Sequence, residues 1–136
     1  MTSVAFIDLK EEINADDRGF SFFVFPGRVR KAQDVLRSFH LVSIEPGQVR
    51  GNHLHPGHEE WLYPFHGIGV LQWEAPPGQV QERVVSGNRA LVRIPPGVAH
   101  ALKNPGLEIL YLLAWREAVE PAGQEPETVA RLVSSD

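Results

Sequence analysis

The sequence predicts an all-β fold, an antiparallel sandwich or barrel of short strands. Turn-forming Gly and Pro residues recur along the 136-residue chain, and its twelve Gly and eleven Pro are dispersed over its whole length. Apolar runs of strand length lie between these turns, and a turn signal roughly every 8–12 residues is typical of sandwiches and barrels. The length suits one core, so we expect residues 1–136 to form a single domain.

The predicted strands are the apolar runs that lie between turn signals. Before the tail, no stretch has the period of an amphipathic helix, and only PETVARLVSS (126–135) is expected to form one short helix. The predicted strands are, in chain order, SFFVF (21–25), FHLVSI (39–44), GVLQW (69–73), ALVRI (90–94) and LEILYLLAW (107–115).

Composition excludes several classes of function. The chain has no cysteine, which rules out disulfides, thiolate catalysis and Cys-type zinc sites. Its first residues lack the basic start and apolar run of a signal peptide, and no window is apolar enough to span a membrane. The net charge of −4 argues against a nucleic-acid partner, because phosphate binding needs a basic surface. We therefore expect a cytoplasmic protein that binds neither membrane nor nucleic acid.

The stretch RGNHLHPGHEEW (50–61) concentrates groups that bind metals. His53 and His55 are separated by one residue, so on a strand both point to the same face. A turn at PGH can bring Glu60 back beside them, and His100 follows the distant turn PPG. Three imidazole nitrogens and one carboxylate oxygen suit zinc, iron, manganese, nickel or cobalt, and leave room for a substrate.

A plainer interpretation of the same stretch stays open at this point. Most His-x-His pairs are solvated or packed and hold no metal, since histidine is often found at the surface. Glu59 and Glu60 could likewise be a solvated pair on a turn. Spacing alone does not decide between these alternatives.

Two longer patterns resemble the motifs of the cupin superfamily. The first motif matches at every position, namely Gly47, His53, His55, Glu60 and Gly67. The second matches in its later part, namely Pro95, Gly97, His100 and Asn104. Its leading glycine would fall at Arg89, whereas this chain has Gly87, so a turn longer by two residues is expected. The resemblance covers about residues 38–115 and implies a single antiparallel barrel, or jelly roll, with the metal inside.

The flanking segments resemble cupins that act on nucleotide-linked sugars. ADDRGFSFFVF (15–25) and RGNHLH (50–55) are similar to segments of dTDP-4-dehydrorhamnose 3,5-epimerases and dTDP-sugar ketoisomerases. The rhamnose epimerases lack the second histidine and the glutamate and use no metal, so this chain departs from them there.

The strongest resemblance is to the C-terminal cupin domain of CapF-type capsular polysaccharide enzymes. It rests on PGQVRGNHLHPGHEEWL (46–62), IPPGVAHALKNPG (94–106) and LAWREAVEPAGQEPET (113–128). In that family the cupin carries zinc and epimerises a 4-keto sugar nucleotide, and a separate reductase domain reduces the product. We expect no reductase domain here, because 136 residues are too few to hold one as well.

The resemblance implies an epimerase or isomerase of a nucleotide-linked 4-keto-6-deoxy sugar in cell-surface polysaccharide biosynthesis. The metal ligands would be His53, His55, Glu60 and His100, with zinc expected and nickel, iron, manganese or cobalt as alternatives. The alternative functions are a non-catalytic sugar-binding or regulatory cupin and a metal-dependent oxygenase.

The remaining site residues are predicted from their place beside the motifs. Arg18, Arg50 and His58 are expected to contact the sugar nucleotide, because arginine suits phosphate and His58 lies next to the ligands. On a regular strand Arg50 would point away from His53, so its role requires a bend at Gly51. No catalytic base is assigned from the sequence. Exposed edge strands would favour pairing of two chains, so we also expect a homodimer.

Overall fold

The computed structural model describes residues 3–86, 89–119 and 126–134, and strands dominate these ranges. In chain order the elements are β1 (Ala5–Asp8), β2 (Asn14–Asp16), β3 (Gly19–Ser21), α1 (Ala32–Ser38), β4 (His40–Ile44), β5 (Val49–Leu54), β6 (His58–His66), β7 (Ile68–Glu74), β8 (Val80–Ser86), β9 (Ala90–Ile94), β10 (His100–Lys103), β11 (Leu110–Ala118) and β12 (Val129–Ala130).

Two antiparallel sheets of five strands form the body of the fold. The first sheet has the order β1-β9-β6-β11-β4, and the second has the order β12-β5-β10-β7-β8. Strands β2 and β3 pair separately as a hairpin. Non-consecutive strands are neighbours in both sheets, as in a jelly roll. The all-β prediction is confirmed, with the refinement that the two sheets face each other and, within the described ranges, do not close into one hydrogen-bonded ring.

The main core lies between the two sheets. The side chains that fill it alternate along each strand with side chains on the opposite face, as the pleat requires. The first sheet contributes Ile44, Leu62, Val92, Ile94, Leu110, Leu112 and Ala114, and the second contributes Leu71, Trp73, Val85 and Leu102.

A second apolar cluster covers the outer face of the first sheet. Trp61 and Tyr63 alternate with Leu62 on β6, so they point away from the main core, and Trp61 stacks on Trp115 of β11. Helix α1 adds Val35 to this cluster. The segment after β3 also packs there through Phe22, Val24 and Phe25. One face of the sheet is therefore left for the cavity described below.

Three segment predictions are wrong. The run SFFVF is not a strand beyond Ser21, because Phe22, Val24 and Phe25 pack on the outer cluster without strand pairing while Phe23 stays exposed. Helix α1 was not predicted; it has seven residues and one buried side chain, too little for a recognisable period. In the described part of the predicted tail helix, Val129–Ala130 forms β12 instead and the other residues form neither helix nor strand, since the backbone there finds partners on β5. An isolated helix that short is only marginally stable.

The other predicted strands agree with the structure. FHLVSI contains β4, GVLQW lies within β7, and ALVRI coincides with β9. LEILYLLAW overlaps β11, which begins at Leu110 and runs on to Ala118. The longer turn expected at Gly87 lies outside the described residues. None of the helices in the described ranges has the length and apolar character needed to span a bilayer.

Candidate metal centre

Three strands bring the four predicted ligands together. His53 lies on β5 and His55 directly follows it, while Glu60 lies on β6 and His100 begins β10. One ligand atom from each residue can be chosen so that all four lie within 4.8 Å of one another. His55, Glu60 and His100 are buried, and His53 is partly buried. The structure therefore joins two distant parts of the sequence into one cluster at the inner face of the sheets.

A bulge in β5 shapes the cluster. In the pairing of β10 with β5, His100 lies opposite His53 and Ala101 lies opposite Gly51, so the register skips Asn52. Gly51 and the skipped residue Asn52 both have positive φ, +104° and +56° respectively. A Cβ atom on Gly51 would lie 2.9 Å from the carbonyl oxygen of His100, so this position needs glycine. The bulge is the bend that the prediction for Arg50 required.

Hydrogen bonds orient two of the imidazoles. The Nδ1 atom of His100 lies 3.0 Å from the carbonyl oxygen of Val98, and its Nε2 atom lies 2.7 Å from Oε1 of Glu60. The Nδ1 atom of His55 lies 3.1 Å from the carbonyl oxygen of Glu127. A carbonyl only accepts, so Nδ1 of each ring donates to it and Nε2 of each ring faces the cluster.

Burial and neighbouring charges set the protonation of the cluster. Burial first, and then the nearby His100, lowers the pKa of His53 to about 4. Burial alone would raise the pKa of Glu60, but the hydrogen bond from His100 and the nearby His55 imidazole outweigh it and lower that pKa. Near neutral pH the cluster thus offers a carboxylate and a neutral His53. Those are the forms that bind metal ions.

The residues present fit a divalent transition metal. The Nε2 atom of His55 is buried, has no hydrogen-bond partner among the described residues, and lies 3.5 Å from Oε1 of Glu60. Such an atom is costly to bury without a ligand. Two ligands of an ion bound at about 2.1 Å lie at most about 4.2 Å apart, so small side-chain rotations would complete the site.

A cavity of about 590 Å³ opens beside the cluster. Three ligands form part of its wall, and its other polar side chains include His40, Arg50 and Arg116. Much of the rest is apolar, contributed by Leu41, Val42, Ile44, Val49, Leu62, Leu102, Leu112 and Ala114. A cavity with an apolar wall and a few convergent polar groups is typical of a small-molecule site. Its size suits a ligand larger than a monosaccharide ring.

The structure separates the three residues predicted to contact substrate. Arg50 lines the cavity and donates from Nε to the carbonyl oxygen of Ser43 at 2.9 Å. Arg18 lies in the β2–β3 hairpin, has a side chain 91% exposed, and pairs with Asp16. His58 is not among the cavity-lining residues, and its Nε2 atom lies 3.9 Å from Oε1 of Glu127. Substrate contact by Arg18 and His58 stays a prediction.

Glu59 and Glu60 do not form a solvated pair. Both are buried, and because they are adjacent on β6 they point to opposite faces of the sheet. Glu60 joins the histidines, whereas Glu59 accepts from Nη2 of Arg30 at 2.7 Å and from Nε of Arg93 at 2.8 Å. The plainer interpretation of these residues is therefore wrong.

Two residues that line the cavity were not predicted from the sequence. His40 and Arg116 lie on strands β4 and β11, which are neighbours in the first sheet. Strand alternation could have identified His40, because it lies four residues before the buried Ile44 on the same strand and therefore points to the same face. Arg116 lay within a segment used only for its family resemblance. Arg116 is an even number of residues from the inward-facing Leu112 and Ala114, so alternation along the strand would have predicted that it faces the cavity.

The fold and the cluster define a jelly-roll protein with a candidate metal centre in its cavity. The chain belongs to the cupin family, because the model for the cupin domain matches residues 40–116. This confirms the resemblance drawn from the two motifs. No curated protein sequence is similar enough to the chain to count as a match.

Solved structures give the family resemblance more detail. CapF, the capsular polysaccharide assembling protein of Staphylococcus aureus, is 27% identical over 89% of this chain, with a TM-score of 0.61. The sugar 3,4-ketoisomerase QdtA of Thermoanaerobacterium thermosaccharolyticum, solved with TDP, is 15% identical over 93% of this chain and 86% of its own, with a TM-score of 0.70. The dTDP-4-dehydrorhamnose 3,5-epimerase of Sulfolobus tokodaii is 21% identical over 88% of this chain and 72% of its own, with a TM-score of 0.65.

These similar structures support different conclusions about the chain. The chain spans only 34% of the length of CapF, so it corresponds to one part of that protein. At 15% and 21% identity, the two sugar-nucleotide enzymes share the fold with this chain. What CapF, QdtA and the epimerase bind or catalyse is a property of those proteins.

Proposed function

We propose that this chain is a metal-dependent enzyme that removes a proton beside the ketone of a nucleotide-linked 4-keto-6-deoxy sugar, as an epimerase or ketoisomerase. The observation that carries the proposal is the cavity whose wall combines three members of the cluster, His53, Glu60 and His100, with two arginines. The similar structures support this choice of chemistry, since QdtA is a sugar ketoisomerase that was also solved with TDP-4-keto-6-deoxyglucose. Cell-surface polysaccharide biosynthesis is the proposed context, by similarity to CapF.

His53, His55, Glu60 and His100 are proposed to hold one divalent ion, with zinc first among the alternatives. Two of these imidazoles already present Nε2, and the carboxylate supplies the single negative charge. When bound, such an ion polarises a carbonyl as a Lewis acid and so stabilises an enolate.

His40 is proposed to take the proton. Of the cavity-lining side chains among the described residues, three belong to the ligand set and the two guanidinium groups are donors only, which leaves the imidazole of His40 as the proton acceptor. Its Nδ1 atom lies 2.6 Å from the carbonyl oxygen of Ser38, so Nδ1 carries a proton and Nε2 keeps its lone pair. After Nε2 has taken the proton from carbon, protonation of the enolate by solvent on the opposite face gives epimerisation, and His40 releases its own proton to solvent. Return of the proton from Nε2 to a neighbouring atom gives isomerisation.

The two arginines are proposed to bind the diphosphate. Arg50 keeps its terminal NH groups for a ligand after its Nε atom has bonded Ser43. Arg116 bonds Glu127 through Nε at 2.9 Å, and its Nη1 atom lies 3.8 Å from Oε2 of Glu60. Guanidinium groups suit phosphate oxygens, so the anionic end of the substrate would lie here and its ketone near the metal. The homodimer and the single-domain organisation stay predictions.

Metal content gives the first test. Protein purified without chelator should contain about one equivalent of a transition metal, measured by elemental analysis. Less than about a tenth of an equivalent, with no rebinding of added zinc, would contradict the site. Iron or manganese with oxygen consumption would favour the oxygenase alternative, because zinc has no redox chemistry.

Deuterium exchange tests the reaction. The protein should exchange solvent deuterium into the carbon beside the ketone of a nucleotide 4-keto-6-deoxy sugar, because enolisation is common to epimerase and ketoisomerase. His40→Gln should slow exchange by about a hundredfold while metal content and nucleotide binding stay unchanged. The variants Arg50→Gln and Arg116→Gln should mainly weaken binding. If several such substrates bind and none gains deuterium above a metal-free control, the sugar-binding alternative replaces the enzyme.

A further inference from the structure

The C-terminal segment, residues 126–134, contacts the candidate metal centre from outside the cavity. The Nδ1 atom of His55 lies 3.1 Å from the carbonyl oxygen of Glu127 and 3.1 Å from Oγ1 of Thr128. These partners are more than 70 residues away from His55 along the chain. By contrast, Nδ1 of His100 bonds the carbonyl oxygen of Val98 two residues earlier, within its own turn. The orientation of His55 thus depends on a distant segment, whereas that of His100 is local.

The segment is docked on the bulge that shapes the centre. Strand β12 pairs with β5, with Ala130 opposite His53. The amide of Arg131 donates to the carbonyl oxygen of Asn52 at 2.8 Å. The amides of Val133 and Ser134 both donate to Oδ1 of Asn52, each at 2.8 Å. The Arg131 guanidinium also makes two bonds of 3.0 Å with Glu74, at the end of β7.

The same segment also contacts the cavity wall. The Glu127 carboxylate accepts from Nε of Arg116 at 2.9 Å, and Arg116 lines the cavity. The main chain of Glu127 contacts the metal cluster while its side chain contacts the proposed anion site. A shift of the segment would therefore disturb both.

We propose that the C-terminal segment positions His55 for metal binding, with Thr128 as the positioning residue, so that docking of the segment and binding of the metal are coupled. The proposal rests on the proposed metal site and does not depend on the reaction. Because the Glu127 carbonyl only accepts, Nδ1 of His55 must carry the proton, which leaves Nε2 with the lone pair that a metal needs. Groups that orient a metal-bound histidine in this way typically change metal affinity by about 10–100-fold.

Coupling has a reciprocal consequence. If the docked segment raises metal affinity, then bound metal must stabilise the docked segment by the same factor. A segment that only covers the edge of the second sheet would contribute stability without this reciprocity. Metal affinity and amide exchange in the segment therefore distinguish positioning from plain structural support.

The test uses full-length variants and zinc alone. Zinc affinity is measured by competition with a chelator in Thr128→Val, which removes the hydroxyl and keeps the shape. We expect an affinity about tenfold lower than wild type, with Thr128→Ser close to wild type. The matched control is Leu132→Ala in the same segment, whose side chain is 72% exposed, and its affinity should not change.

Amide hydrogen exchange provides the second measurement. Zinc should slow exchange at Arg131, Val133 and Ser134 in wild type by about tenfold, and by less in Thr128→Val. The proposal would be overturned if Thr128→Val bound zinc as tightly as wild type, or if Thr128→Val and Leu132→Ala lost the same amount of zinc affinity. It would also be overturned if zinc did not change amide exchange in the segment. A wild-type protein that binds no metal would overturn this proposal and the metal site together. Normal coupling without any sugar deuteration would leave the coupling established and the enzyme refuted.

Discussion

The two faces of the first sheet surround their buried carboxylates with different partners. On the outer face Glu59 lies between Arg30 and Arg93, and Glu117 accepts from the backbone amides of Arg30 and Lys31. On the inner face Glu60 has the imidazoles of His55 and His100 as its nearest partners. Glu59 and Glu60 are adjacent and equally buried, at 4% and 5% exposure. Their surroundings differ only because strand neighbours point to opposite sides.

The difference lies in the groups that are nearest to each carboxylate. Burial raises the pKa of Glu59, but its hydrogen bonds with Arg30 and Arg93 outweigh this and lower it, so its charge is matched by guanidinium groups. Beside Glu60, His53 has a pKa of about 4 and is neutral near pH 7. The closer partners of Glu60 are imidazoles, and Nη1 of Arg116 lies farther away, 3.8 Å from its Oε2 atom. An imidazole can share a metal ion with a carboxylate, whereas a guanidinium cannot. The outer network is therefore structural, and the inner cluster is suited to a cation.

The largest expected effect comes from removing two inner ligands together. In His55→Ala/His100→Ala, two of the four donors are lost and metal binding should be abolished, as measured by elemental analysis after dialysis against zinc. Deuterium exchange into the sugar should fall by at least about a hundredfold, because the electrophilic stabilisation of the enolate is lost. Metal content that survives this change would mean that the ligands are misassigned and that the inner face is not the metal site.

The matched pair Glu59→Gln and Glu60→Gln sharpens the comparison. Glu60→Gln should lower zinc affinity by more than about a hundredfold, because a charged ligand is replaced. Glu59→Gln should keep one equivalent of zinc but lower the free energy of unfolding by about 2 kcal/mol, because two charge-assisted hydrogen bonds are weakened. Chelator competition and urea unfolding of the metal-free proteins measure the two effects. The same loss of zinc affinity in both variants would remove the distinction between the faces.

The smallest expected effect concerns the bulge that shapes the inner face. Gly51→Ala adds a Cβ atom 2.9 Å from the His100 carbonyl oxygen at a φ of +104°. Gly47→Ala is the control, since its φ is +82° but no atom lies within 4 Å of the added Cβ. The control should cost about 1 kcal/mol of unfolding free energy from backbone strain alone. Gly51→Ala should cost more and also weaken zinc binding, and equal effects in the two variants would show that the close approach is unimportant.

The sequence was informative where chemistry depends on local spacing. His53 and His55 share a face because strand side chains alternate, and that holds wherever the strand lies. The turns at PGH and PPG place Glu60 and His100 at strand ends, and the two motif spacings together predicted the fold and the residues that converge. Strands such as ALVRI were predictable for the same reason, because each is a short apolar run with turn-forming residue types on both sides in the sequence.

Only the tertiary structure decided what depends on contacts between distant residues. Helix α1 and the segment after β3 are fixed by the outer face of a sheet formed mostly by later residues, so their own sequence carried too little signal. Likewise, β12 forms because β5 offers backbone partners, and Thr128 reaches His55 only through that pairing. The presence of Arg50 in the cavity depended on the bulge at Gly51, where the backbone of His100 approaches closely. Alternation along a strand is a property of the strand itself, whereas the occupant of its other side is set by how the whole chain packs.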